Sequence, residues 1–237
     1  MKSLVKHIWK HLALVVAVLL LFNVSSPDAI TNPFSIVEII APSGKMINKQ
    51  ALLRITSKQS LPASAVYQWK NHLVVYGKNL SITALQKDIK MAYPKCGVKI
   101  YSNPFYDFDK KQQCANTQQA KQWDNIILTA NLVNDQKLQQ EYLNYHATQF
   151  IKWPEVAKGF CNANFQQLLV FKNGRQLMLV ISIPRGESLD KLNPKTSENN
   201  PRVDEWNKLM AKYQEGIPGT KNGEVWVFFS NKLINQN

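Results

Sequence analysis

The chain has 237 residues, of which 45% are hydrophobic, so it carries enough apolar mass for a core and is not an intrinsically disordered chain. Its formal net charge of +13 invites a nucleic-acid partner. Yet no Lys/Arg block exceeds two residues and no aromatic–basic interleaving of an RNA-binding kind occurs, so the expectation is a solvated basic surface and no nucleic acid. Such a surface would still attract acidic glycans.

The first segment reads "MKSLVKHIWKH" and then "LALVVAVLLLF", a basic stretch before eleven apolar residues. Eleven is too short to span a bilayer but suits a secretory signal, so residues 1–29 are expected to be removed on export to the periplasm or beyond, leaving no membrane association. An uncleaved anchor is the alternative. Residues 30–65 read as a linker or irregular segment, and 66–121 as a degenerate β-α-β segment built from "HLVVYG", "SITALQKDIKMAY" and "GVKIY". Three cysteines, Cys96, Cys114 and Cys161, meet an oxidising compartment. Cys96 and Cys114 share one segment and are the expected pair, with two buried thiols as the alternative. No CxxC occurs, and outside the signal the histidines are His72 and His146, too few for a structural zinc site.

From residue 122 the pattern is legible. "NIILTANLV" is a buried strand, and "NDQKLQQEYLNYHATQF" switches to helical spacing with Asn134 or Asp135 as cap. Helix resumes in "PEVAKGF". "FQQLLVF" and "RQLMLVISI" flank "KNG", an Asn-Gly hairpin signal. After a polar loop, "NPRVDEWNKLMAKYQEGIPG" opens with an Asn cap and Pro at the first helical position, and "EVWVFF" is a last strand. The order over 122–237 is β-α-β-β-α-β, an α+β, ferredoxin-like domain whose antiparallel sheet carries helices on one face. Its other face needs a cover, from a second subunit or from the upstream segment. "QWKNHLVVYGKN" (68–79) resembles "QWDNIILTANLV" (122–133), which suggests a degenerate repeat; in that register His146 falls against Ala92 and Tyr142 against Asp88.

The stretch "EYLNYHATQFIKWPEV" (141–156) concentrates the chemically useful groups. Tyr142 and His146 are four apart and share a helix face. Histidine both donates and accepts protons near neutrality, and tyrosine adds a hydroxyl, whereas tryptophan offers a platform for the C–H face of a sugar. On spacing alone a lone helical histidine is more often packed than catalytic.

This stretch, the hairpin and the "NPRVDEWNKLMAKYQ…GEVWVFF" tail together resemble the L-rhamnose mutarotase family over roughly residues 125–230. The resemblance implies a ferredoxin-like fold of the dimeric α/β-barrel type and cofactor-free interconversion of the α and β anomers of L-rhamnose or a related 6-deoxy sugar. It also implies a homodimer or an internal pseudo-dimer. It assigns His146 as the proton donor, and Tyr142 and Trp206 as substrate contacts. Trp153 and Gln167 join them as candidate substrate contacts, although Gln167 stands where the family carries a second substrate tyrosine. Asn207 replaces a second adjacent tryptophan, and three extra residues separate His146 from Trp153. Ring opening needs only proton transfers, and no phosphate-cradling glycine loop, GxSxG or HExxH occurs. The alternatives are a non-enzymatic exported carbohydrate-binding module of the same fold and, from another class, a dimeric α+β-barrel oxygenase. The second is disfavoured by the lack of any visible haem or metal ligand set.

Overall fold

Strand-forming sequence at both ends of the chain builds two antiparallel sheets that pack against each other. The computed structural model describes residues 33–231, so the expected signal segment lies outside the described residues. The first half runs β1 (Phe34–Ile40), α1 (Lys49–Ser57), β2 (Val66–Trp69), β3 (His72–Lys78), α2 (Ile82–Ala92) and β4 (Gly97–Tyr101). Its sheet has the order β2-β3-β1-β4, with every pair antiparallel. A connecting strand β5 (Tyr106–Asp109) and a single helical turn α3 (Lys110–Gln113) follow.

The second half contains β6 (Trp123–Leu132), α4 (Gln136–Ala147), the short α5 (Gln149–Lys152), α6 (Pro154–Asn162), and the hairpin β7 (Gln167–Asn173) and β8 (Gln176–Pro184). After these come the turn α7 (Leu189–Leu192), α8 (Pro201–Ala211), β9 (Gln214–Glu215) and β10 (Val227–Phe229). The second sheet has the order β10-β6-β8-β7-β5, and β9 pairs with β6. The expected strands, hairpin and helices of 122–237 are thus present. Asp135 is the cap of α4, accepting from the Leu138 amide at 3.0 Å. No helix among the described residues is long and apolar enough to cross a membrane.

The upstream half corrects the sequence reading. The expected linker 30–65 holds β1 and α1, because "FSIVEII" is a fully sheet-paired strand whose central Glu38 disguised it. The two halves do not correspond in the register of the QWxN tetrapeptides. The QWKN tetrapeptide forms the β2–β3 hairpin, with Lys70 at φ 48°, whereas Trp123 begins β6. By sheet position β6 matches β1, and the β7–β8 hairpin matches β2–β3.

Strand alternation divides the side chains into three apolar layers. Val37, Ile39, Leu73 and Val75 meet α1 and α2, and Leu168, Val170, Leu177 and Ile181 meet the helices of the second half. The opposite faces meet each other: Ile36, Tyr67, Val74, Tyr76 and Tyr101 pack on Ile127, Leu169, Phe171, Met178, Val180 and Phe229. The first half is therefore the cover that the second sheet requires. The edges also join, since the Gln68 and Ser230 backbones exchange hydrogen bonds of 2.8 and 3.0 Å.

The cysteine pairing differs from expectation. Cys114 is bonded to Cys161 and Cys96 is free. Sequence proximity misled here: Cys96 packs against the core of the first half, while Cys114 ends α3 beside α6, which carries Cys161. The bond joins positions 47 apart, and closing a loop of that length contributes on the order of 2–4 kcal/mol. Cys114→Ser should therefore lower the urea unfolding free energy by about that amount, while Cys96→Ser leaves it within ~1 kcal/mol. Thiol counting by intact mass should find one alkylatable cysteine in the native oxidised protein, and three would overturn the pairing.

Candidate functional site

The helices of the second half do not close completely over their sheet. They leave a cavity of about 400 Å³ whose floor is the apolar row Leu168, Val170, Leu179 and Ile181. That volume is in the range of small-molecule sites. His146 and Tyr142 enter its wall from α4, one turn apart, and Trp206 enters from α8. Thr148 ends α4, with φ −109° and its hydroxyl donating to the Asn144 carbonyl, and the chain restarts as α5 one residue later. That break carries Gln149 onto the wall beside His146.

The position of α8 is set by contacts that the capping rule does not foresee. Asn200 occupies the cap position, but its side chain donates instead to the Glu155 carbonyl on α6 at 2.8 Å. Gly159 on α6 lies against the turn at 193–196, where a Cβ would meet the Thr196 carbonyl oxygen at 2.4 Å. Only glycine permits that approach. Together these contacts clamp α8 to α6 and hold Trp206 over the cavity.

His146 is 7% exposed and surrounded by rings, with Tyr142, Trp206, Tyr106 and Phe105 centroids at 4.2, 5.2, 5.3 and 5.6 Å. Its Nδ1 lies 3.0 Å from the Tyr142 carbonyl oxygen. A carbonyl only accepts, so Nδ1 carries the proton and Nε2 keeps its lone pair for the cavity. Burial lowers the pKa to about 4, and the carbonyl bond opposes this only in part. The imidazole is neutral at physiological pH. Burial has the opposite effect on the phenols, raising Tyr142 and Tyr106 well above the usual tyrosine range, so both keep their protons. A relay orients Tyr142: Trp226 Nε1 donates to Gln214 Oε1 at 3.0 Å, and Gln214 Nε2 donates to the Tyr142 hydroxyl at 3.2 Å. With that lone pair occupied, the Tyr142 hydroxyl still has its proton to donate.

Two more wall residues carry unmet hydrogen-bonding capacity. Tyr106 Oη and both amide atoms of Gln149 are buried without a hydrogen-bond partner, the residues being 5% and 1% exposed. Buried polar groups are rarely left unpaired, and these three atoms belong to residues that line the cavity, where a polar ligand would satisfy them. Gln149 lies three positions beyond His146, a spacing that could have been read from the sequence. Tyr106 had no such signal, since it reaches the wall from the connecting strand.

Of the five residues singled out from the sequence, His146, Tyr142 and Trp206 share this wall. Gln167 does not. It faces the first sheet with Leu169 and Phe171, and its amide contacts Asp107 at 3.4 Å. A one-residue offset on a strand reverses the face, and the cavity receives Leu168 instead. Trp153 also stands outside the lining. Its ring backs Trp206 at 5.6 Å, and the Arg202 guanidinium lies over it at 3.8 Å, so it supports the wall rather than forming it. Asn207 does line the cavity.

The architecture is that of an α+β protein with an apolar-floored cavity whose wall carries a buried, neutral histidine. Residues 125–231 match the family model for L-rhamnose mutarotase. An L-fucose mutarotase of Xanthomonas campestris pv. campestris is 29% identical over 102 residues, covering 43% of this chain and 79% of that protein. The UPF0734 protein of Dictyostelium discoideum is 32% identical over 100 residues, covering 40% and 77%. Among solved structures, a monooxygenase-like protein of Listeria innocua is 12% identical with a TM-score of 0.40, covering 84% of this chain and 94% of that one. The chain belongs to the L-rhamnose mutarotase family, and at family level it is an isomerase-type sugar enzyme.

Burial of His146 has a stability consequence with a definite sign. The pKa is about 4 in the native state and near 6.5 in the unfolded chain, so between these values the unfolded chain binds the proton more readily. Stability therefore falls as pH falls through that window, by on the order of 3 kcal/mol in total, and is unaffected above it. His146→Gln, uncharged throughout, should remove this part of the pH dependence. Urea midpoints of both proteins between about pH 7 and pH 4 check it, and identical slopes would exclude a buried neutral histidine.

Proposed function

We propose that this chain is an aldose mutarotase that interconverts the α and β anomers of L-rhamnose, L-fucose or a related 6-deoxy sugar. The observation that carries the reading is the set of buried, unpartnered groups, Tyr106 Oη and the Gln149 amide, beside the free Nε2 of His146. A pyranose offers hydroxyls that both donate to and accept from such groups, and the floor of Leu168, Val170, Leu179 and Ile181 suits a ring face and a C6 methyl group. We read each half of the chain as a ferredoxin-like unit, the pair forming an internal pseudo-dimer; the matching strand orders support this. The N-terminal signature and the Cys114–Cys161 bond support export into an oxidising compartment.

In the reaction, His146 Nε2 takes the proton of the anomeric hydroxyl as the bond between C1 and the ring oxygen breaks and C1 becomes a carbonyl. A phenolic O–H, from Tyr142 or Tyr106, donates to the ring oxygen. After rotation about C1–C2 the oxygen attacks the other face of C1. The proton on His146 passes to the new anomeric hydroxyl, and the phenol recovers its own. Trp206, held by Trp153, covers the sugar. With the imidazole pKa near 4, the basic form persists far below neutrality.

Saturation-transfer NMR of L-rhamnose and L-fucose, with the spontaneous rate subtracted, tests the proposal. His146→Ala should slow catalysed exchange roughly 10²- to 10⁴-fold with the fold retained. Tyr142→Phe and Tyr106→Phe should reduce turnover more than stability. Trp206→Ala should also lower stability, by about 3–5 kcal/mol. Full exchange activity in His146→Ala would overturn the role of His146. Saturable binding of both sugars without any exchange would instead identify a carbohydrate-binding module.

A further inference from the structure

A second cavity, of about 820 Å³, lies apart from His146, where loops of the two halves meet at residues 41–46, 70–72, 173–176 and 217–219. We propose that it binds an acidic saccharide, one that carries carboxylates as well as hydroxyls.

Its chemistry differs from that of the first cavity. Lys45, Lys70, Lys99 and Arg175 line it. Lys45 and Lys70 are exposed at the rim, and the Lys45 ammonium has no partner among the described residues. Lys70 donates to the Gly219 carbonyl and lies over the Trp69 ring at 5.0 Å, tying the two rim loops together. Arg175 is partly committed, to the Leu132 carbonyl and to Glu215.

Beneath these cations lies a buried polar cluster. Glu38, fully buried in the middle of β1, accepts from His72 Nδ1 at 2.7 Å, from Gln176 Nε2 at 3.0 Å and from the Tyr101 hydroxyl at 2.9 Å. Gln176 in turn accepts from Lys99 and donates to Thr129 Oγ1. With Nδ1 held by Glu38, His72 has only Nε2 for a ligand, in a cavity that it helps to line. A purely structural cluster would need only the inter-sheet bonds of Glu38, Tyr101, Gln176 and Thr129. It would not account for Lys45 and Lys70 facing the same open space.

Size and the remaining wall residues narrow the ligand class. Asn71 and Asn173 donate their amides to the Ala41 and Ile100 carbonyls, which leaves each side-chain oxygen free to accept from a hydroxyl. Met46, 81% exposed, and Ile217 and Pro218 add apolar surface for C–H faces. An inorganic anion would use the cations and leave the amides and apolar wall idle. A neutral sugar would leave the cations idle. An acidic saccharide uses all three.

The test is a titration of the full chain with digalacturonate, its neutral dimethyl ester and inorganic phosphate, followed through the His72 ring resonances and tryptophan fluorescence. Digalacturonate should bind saturably, at least roughly tenfold more tightly than either comparator, and should weaken with added salt. The rim variants Lys45→Ala and Lys70→Ala, which alter exposed side chains, should each weaken it several-fold, and their circular dichroism should match the parent. His146→Ala should leave it unchanged, which separates this site from the mutarotase cavity whether or not that proposal holds. Equal affinity for the dimethyl ester would overturn the proposal, as would equal affinity for phosphate. So would binding that responds to His146→Ala and not to the rim variants.

Discussion

The second sheet is apolar on both faces, and that single constraint organises the molecule. Leu169, Phe171, Met178 and Val180 alternate along the same strands with Leu168, Val170, Leu177 and Ile181. An antiparallel sheet can leave one face in water only if that face is polar. Here it is not, so something must lie on each side. Helices α4, α6 and α8 cover one face, and the first sheet covers the other. With its rear face dry and rigid, the sheet becomes a firm floor against which an incompletely closed helical layer can leave a cavity.

Burial sets the protonation of the groups around that cavity. The same burial that keeps the His146 imidazole neutral keeps the neighbouring phenols of Tyr142 and Tyr106 protonated. The wall is positioned by contacts among other residues. The Asn200 bond to Glu155 and the close approach at Gly159 place α8, and the Trp226–Gln214 relay turns the Tyr142 hydroxyl. The two halves share a strand order but differ in what they enclose. In the first half Leu52, Ile55, Leu85 and Ile89 fill the space between helices and sheet, where the second half has a lined cavity. The first half's buried polar pair, Glu38 and His72, lies on the opposite face of its sheet.

The sequence by itself determined the main strands and helices of the second half, because hydrophobic period, the Asp135 cap and the hairpin signal at Asn173-Gly174 are local and agree with one another, although the turn itself falls on Gly174 and Arg175. It also placed Tyr142 and His146 on one helix face, a consequence of spacing alone. Only the tertiary structure decided the rest. β1 was hidden because Glu38 is satisfied by His72, Tyr101 and Gln176, partners remote in sequence. Cys114 took Cys161 rather than Cys96 because pairing follows the distance between Cα atoms, 5.7 Å here, and not separation along the chain. Gln167 was assigned to the wrong face because strand orientation depends on register across the sheet, which a single residue reverses. Tyr106 joined His146 because β5 pairs with β7, a contact between segments about sixty positions apart that no local pattern encodes.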